Sequence, residues 1–155
     1  MKKFFLGIIV ILCLFVMTGC KEKRDIDFLM SSYAKAYTKA DLETAKDIFP
    51  KFYLKYQEKN VNQESLDKEL KAAKERYGDD FNITYKVEKE IKLTDEELKT
   101  LNEKLKKNYK TEDEAEECYK YEGTITLKGS KKADELSLDT IGRCKYDGVW
   151  YLVIR

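Results

Sequence analysis

Histidine is missing altogether from this 155-residue chain. That removes the commonest general base and the commonest metal ligand together. No nucleophile stands beside a base, no glycine-rich phosphate loop is present, and no metal-ligand spacing occurs. No Asp or Glu stands out at an inward strand position either. The chain therefore reads as non-enzymatic, with no cofactor and no metal. Surplus charge is lacking too, since 30 Lys and Arg stand against 29 Asp and Glu. Nucleic acid requires a concentrated basic footprint, so it is excluded as a partner. The charges alternate in sign between apolar residues, which is the surface of a folded domain and not of a disordered one.

A long uncharged stretch occurs once, from Phe4 to Val16, behind Lys2 and Lys3. It is shorter than the roughly 20 apolar residues of a spanning helix. With its positive start and small-residue ending it has the anatomy of a secretory signal. Met17-Thr18-Gly19-Cys20 resembles a bacterial lipobox, in which the cysteine is acylated and becomes the first mature residue. The expected division is a signal peptide at 1–19, a lipidated Cys20 with a charged tether at 20–25, and a single domain at 26–155. An uncleaved anchor, or an ordinary signal cut nearby, is the alternative. The lipobox reading places the protein on the extracytoplasmic face of the cell membrane, held by its lipid. Removing 1–19 takes away two basic residues and no acidic ones, leaving a formal charge of −1.

Cys13 lies in the apolar run and Cys20 is assigned to lipid. Cys118 and Cys144 remain, in a compartment where disulfides persist. They either pair or stay as buried thiols. With no histidine to activate either one, nucleophilic catalysis is set aside.

Ile26, Leu29, Met30, Tyr33, Ala36, Tyr37 and Ala40 fall at helical spacing. Asp41 suits the N-cap of a second helix bearing Leu42, Ala45, Ile48 and Phe49. Pro50 should stop or kink that helix, and Phe52, Tyr53 and Tyr56 continue its apolar face. A third helix is expected from about Glu64 to Tyr77, closed by Gly78 in the left-handed conformation. Phe81, Ile83, Tyr85, Val87, Ile91 and Leu93 then alternate as a half-buried strand interrupted at Lys89. Thr94 to Glu97 is a capping box opening a helix that carries Leu98, Leu101 and Leu105. That helix either packs on the sheet or presents a lid or partner surface.

After an acidic stretch, Tyr119, Tyr121, Ile125 and Leu127 alternate, and Gly129 to Asp134 reads as a turn. Leu136, Leu138 and Thr140 begin the return strand. Asp147-Gly148 signals a hairpin, and the apolar run Val149 to Ile154 suits a strand covered on both faces. A turn centred near Lys131 sets Cys118 opposite Cys144. Simple alternation nevertheless puts Cys118 away from Tyr119 and Tyr121, while Cys144 shares a face with Leu136 and Leu138. A bulge at Gly123 or Gly142 would reconcile the two.

The plan is α+β: N-terminal helices packed in the concave face of a bent antiparallel sheet, with a helix inserted between the first two strands. Tyr33 to Phe49, where one helix ends and an acidic cap starts the next, resembles the opening helices of the nuclear-transport-factor-2-like (cystatin-like) superfamily. Tyr146-Asp-Gly-Val-Trp-Tyr-Leu152 resembles its terminal hairpin. The resemblance implies a domain of a Gram-positive bacterial lipoprotein. The superfamily holds enzymes, ligand binders and interaction modules, so the fold does not choose among them. Its isomerases and dehydratases use an Asp or His in a cone-shaped cavity, and no such residue is evident here. The leading expectation is a non-catalytic interaction module whose partner is an envelope or membrane protein. The alternative is a small-ligand binder with Tyr37, Tyr85, Tyr121 and Trp150 lining the concave pocket, residues that would otherwise pack the core.

Overall fold

The structure, a computed structural model, describes residues 24–57 and 61–154. The signal segment, Cys20 and residues 21–23 of the tether lie outside the described residues. Four helices come first, α1 (Ile26–Lys39), α2 (Leu42–Ile48), α3 (Lys51–Tyr56) and α4 (Gln63–Tyr77). They are followed by β1 (Asn82–Lys92), α5 (Asp95–Tyr109), β2 (Glu117–Lys128), β3 (Ala133–Ser137), β4 (Ile141–Tyr146) and β5 (Val149–Ile154). The architecture is α+β, with α5 inserted between the first two strands of an antiparallel sheet.

The helix starts are set by side chains that accept otherwise unsatisfied backbone N–H groups. Asp25 accepts from the Phe28 amide at 2.8 Å and Asp41 from the Thr44 amide at 3.0 Å. The bonds from Thr44, helped by Lys35, hold the Asp41 carboxyl down to about 2. Thr94 and Glu97 form the expected capping box of α5. Pro50 acts as anticipated: α2 ends at Ile48, and α3 begins immediately after the proline. Gly78 closes α4 by donating to the Lys74 carbonyl. Its φ of 115° and ψ of 166° are not left-handed helical but belong to a region open to glycine. A Cβ there would strike Ser130 Oγ in the β2–β3 turn.

The tether ends sooner than expected, because Arg24 and Asp25 belong to the fold. Arg24 donates to both carboxylate oxygens of Asp47 at 2.8 and 2.9 Å and to the Asp47 carbonyl at 2.6 Å. Its guanidinium also stands over the rings of Phe28 and Tyr151.

In the sheet the order is β1-β2-β4-β5, and β3 lies beside β2 on the same side as β4. The long β2 thus pairs with β4 through its first residues and with β3 through its last. Two local irregularities decide what faces where. The first is a bulge in β1 between Val87 and Lys89, opposite Gly123. Gly123 has a φ of 151°, and a Cβ on it would collide with the Lys86 carbonyl oxygen. The extra residue is in β1, so alternation along β2 is undisturbed while β1 changes parity. Ile83, Tyr85 and Val87 pack with Tyr121 and Ile125, but Leu93 joins the opposite core. The single core-facing row expected from Phe81 to Leu93 is therefore corrected: the strand changes face at the bulge.

The second irregularity divides the expected return strand in two. Leu138 donates to the Gly123 carbonyl, and Ile141 donates back to Leu138, which closes a turn between β3 and β4. Leu138 and Ile141, three residues apart, share one core. Cys144 consequently lies on the other face from Leu138, with Cys118 directly opposite it in the register. The conflict between the two cysteines is resolved at this turn, and not by a bulge at Gly142.

The core on the first sheet face joins Tyr121, Ile125, Ile141 and Leu152 to Leu29 and Met30 of α1 and to Ile48 and Phe49. On the second face Cys118, Cys144, Tyr146 and Val153 meet Leu101 and Leu105 of α5, with Leu93, Ala115 and Phe52. Helix α4 packs outside, through Leu66, on Ala36, Ala40 and Ala45. Phe49 belongs to the first core and Phe52 to the second, so the chain passes around the sheet at Pro50, next to β5. Phe49 and Pro50 are extended there, and β5 is the end strand of the sheet order.

Candidate functional site

The change of parity in β1 turns Glu90 toward the first face. Tyr121, only 1% exposed, donates its hydroxyl to Glu90 Oε2 at 2.9 Å. Arg143 of β4 reaches the same oxygen from 3.4 Å and gives a second long bond, 3.3 Å, to the Arg24 carbonyl. The guanidinium lies over two adjoining rings, 4.9 Å from the Tyr119 centroid and 4.4 Å from that of Trp150. Such contacts contribute about 0.5–2 kcal/mol each, more as water is excluded. Arg143 Nε is buried without a hydrogen-bond partner. Burial pushes the Tyr121 phenol well above its ordinary range; the Arg143 charge opposes this and the bond to Glu90 adds to it. The phenol is thus a fixed donor and the carboxylate a fixed acceptor. The arrangement orients Arg143 and seals a polar end of the core. Alternation alone does not point to Glu90, because its inward orientation depends on the bulge.

The four tyrosine and tryptophan candidates are distributed over two cores. Tyr85, Tyr121 and Trp150 belong to the first. Tyr37 packs with Ala36, Ala40 and Leu66, its ring 4.6 Å from that of Tyr33. Tyr85 donates to the carbonyl and carboxylate of Asp27, and burial followed by that bond pushes its pKa up to about 12. The space between helices and sheet on this face is filled by Leu29, Met30, Ile48, Phe49, Leu138 and Leu152, each no more than 2% exposed.

On the second face Cys118 and Cys144 form a disulfide across neighbouring strands, both at most 1% exposed. Helix α5 covers it through Leu101 and Leu105, and Glu97 at the start of α5 meets Lys120 at 2.7 Å. Beside this core an open groove of about 560 Å³ runs between α3 and the end of α5. Phe52 and Tyr109 floor it, their centroids 5.6 Å apart, and Tyr56 stands at its lip with 60% exposure. The groove continues past Lys51, Phe52 and Asp113 into a second recess of about 230 Å³ beside Tyr146 and Val149.

Among the described residues, no group of three or more His, Cys, Asp or Glu side chains is placed to hold a metal ion. No described helix is long and apolar enough to cross a membrane. Comparison with family models, with curated proteins and with solved structures finds no match.

Proposed function

We propose that this chain is a membrane-anchored extracytoplasmic lipoprotein domain of the nuclear-transport-factor-2-like kind, and that it binds a membrane or envelope protein without catalysis. The address rests on Lys2, Lys3, the apolar run and Gly19-Cys20, and the disulfide is at home in such an oxidising compartment. Helices against one sheet face and a closing Trp150-bearing hairpin support the superfamily reading.

The observation that carries the binding reading is the distribution of free space. The first face is filled with side chains, while the open aromatic groove lies on the outside between α3 and α5. A small ligand held on the first face finds its volume already taken by the core. The interaction reading is tested by crosslinking on intact cells through a photoreactive residue in place of Tyr56. A defined partner should be captured by the native anchor and lost with Cys20→Ser. Capture that is identical with and without Cys20 overturns the anchored role, and mass measurement of the Cys20 peptide reports its diacylglycerol independently.

A further inference from the structure

We propose that the groove between α3 and the end of α5 receives an extended peptide segment of the partner, one that carries carboxylates beside an apolar side chain. The inference rests on the protein-binding reading above and supplies the chemistry of that partner. Its first support is charge. Lys51, Lys55 and Lys110 line the groove and have no ion pair among the described residues. Some lysines elsewhere are held, Lys46 by Glu43 and Lys92 by Glu117; others, such as Lys68 and Lys71, also lack an ion pair among the described residues, and what sets the three apart is that they line one aromatic groove. Two carboxylates, Glu112 and Asp113, line it with them and do not outnumber them. Glu112 is engaged by Lys106 at 3.2 Å, on the side of α5. Carboxylates on a ligand therefore meet uncommitted cations along one rim.

The second support is the floor. Phe52 and Tyr109 present ring surface at the bottom, and Tyr56 packs edge-on against Tyr109 with centroids 5.1 Å apart. Aromatic residues at the centre of a patch, ringed by charge, have the make-up of an interaction hot spot. Farther along, Tyr146 is 7% exposed and its hydroxyl has no hydrogen-bond partner. Asp113 and Asp147 line the same recess together with Lys51.

Shape selects the class of partner. A bilayer is flat on this scale, and the Phe52 and Tyr109 rings lie in a recess that a flat surface does not enter. A polypeptide side chain does.

The probe is a fluorescein-labelled peptide repeating Glu-Leu-Glu-Phe, added to the full chain in a neutral detergent and followed by anisotropy. The acidic peptide should bind, and the same peptide with Lys replacing Glu should not. Lys51→Glu combined with Lys55→Glu should weaken binding about tenfold or more, and added salt should weaken the native complex, because all these charges are exposed. Tyr56→Ala should cost roughly threefold or more. Lys68→Glu combined with Lys71→Glu, on the exposed side of α4, should leave binding unchanged. Equal binding of the two peptides, or equal damage from the α4 pair, overturns the inference. So does binding to phosphatidylglycerol vesicles that the acidic peptide does not displace, which would make the groove a lipid surface. If the peptide fails while crosslinking through Tyr56 still captures a protein, the interaction reading stands and the acidic-peptide chemistry falls. Failure of both removes the reading beneath it.

Discussion

On one face of the sheet, aliphatic side chains from α1 and α2 meet a polar terminus in which Tyr121 and Arg143 converge on Glu90. On the other face the strands are joined covalently through Cys118 and Cys144, and α5 lies over the bond. The first face can be loosened by removing volume or a hydrogen bond. The second has a crosslink that constrains the unfolded chain as well as the folded one. The contrast extends to function. The first face has spent its surface on packing, whereas the second leaves ring edges and lysines open beside α3. Tyr53 touches both sides, its ring 5.0 Å from Phe49 and 5.6 Å from Tyr109.

The difference is broken most strongly at the disulfide. Cys118→Ala with Cys144→Ala should lower stability by about 3.5 kcal/mol, from the chain entropy of the loop closed between them. Urea unfolding of the native chain with and without reductant should reproduce that loss; equal midpoints in the two conditions would refute it. On the first face, Leu138→Ala removes a fully buried side chain from the turn between β3 and β4. It should cost about 3 kcal/mol in the same unfolding experiment, with the disulfide still intact by mass.

Tyr121→Phe tests the polar terminus and should cost about 1 kcal/mol, since Glu90 remains partly solvated. A double-mutant cycle with Glu90→Ala should show coupling between the two; strict additivity would mean that the hydrogen bond contributes nothing.

The smallest effect belongs to Glu97, which is fully exposed. Lys120, followed by the Thr94 backbone amide, holds its carboxyl down to about 2. A folded-state pKa below the unfolded value gives stabilisation that is complete above the usual carboxylate range and drains away as the pH falls toward 2. Glu97→Gln should therefore flatten the decline of the thermal midpoint between about pH 5 and about pH 3. An unchanged decline would assign the acid sensitivity to other groups, Asp41 first among them.

Features that depend on neighbours in the chain were legible in the sequence. Asp25 was read only as tether, but Asp41, Pro50 and the box from Thr94 to Glu97 act where their local chemistry puts them. Asp147 and Gly148, at φ 48° and 75°, make the hairpin expected of that pair. Strand counting set Cys118 opposite Cys144, as the register has them, while simple alternation put the two on different faces. What escaped was parity. Leu136, Leu138 and Thr140 alternate smoothly into the turn, and only Ile141, arriving one residue out of step, betrays it. In β1 the corresponding trace is Lys89, a charge at an odd position, with Gly123 as the partner that makes room. Without that change of parity, alternation leaves Glu90 on the wet face of β1. The groove was beyond reading for another reason. Its rings and lysines come from α3 and from the end of α5, some fifty residues apart, and nothing local records that these segments meet.

Arg24 carries a mechanical consequence. Cys20 is four residues before it, a reach of at most about 14 Å when extended. Under the anchoring proposed above, a pull arrives first at a side chain gripping Asp47 and resting on Tyr151, and at a carbonyl held by Arg143. Tension is shared between the end of α2 and the last two strands before the first turn of α1 is loaded. At Arg24 the fold meets such a load as a bracket and not as a hinge.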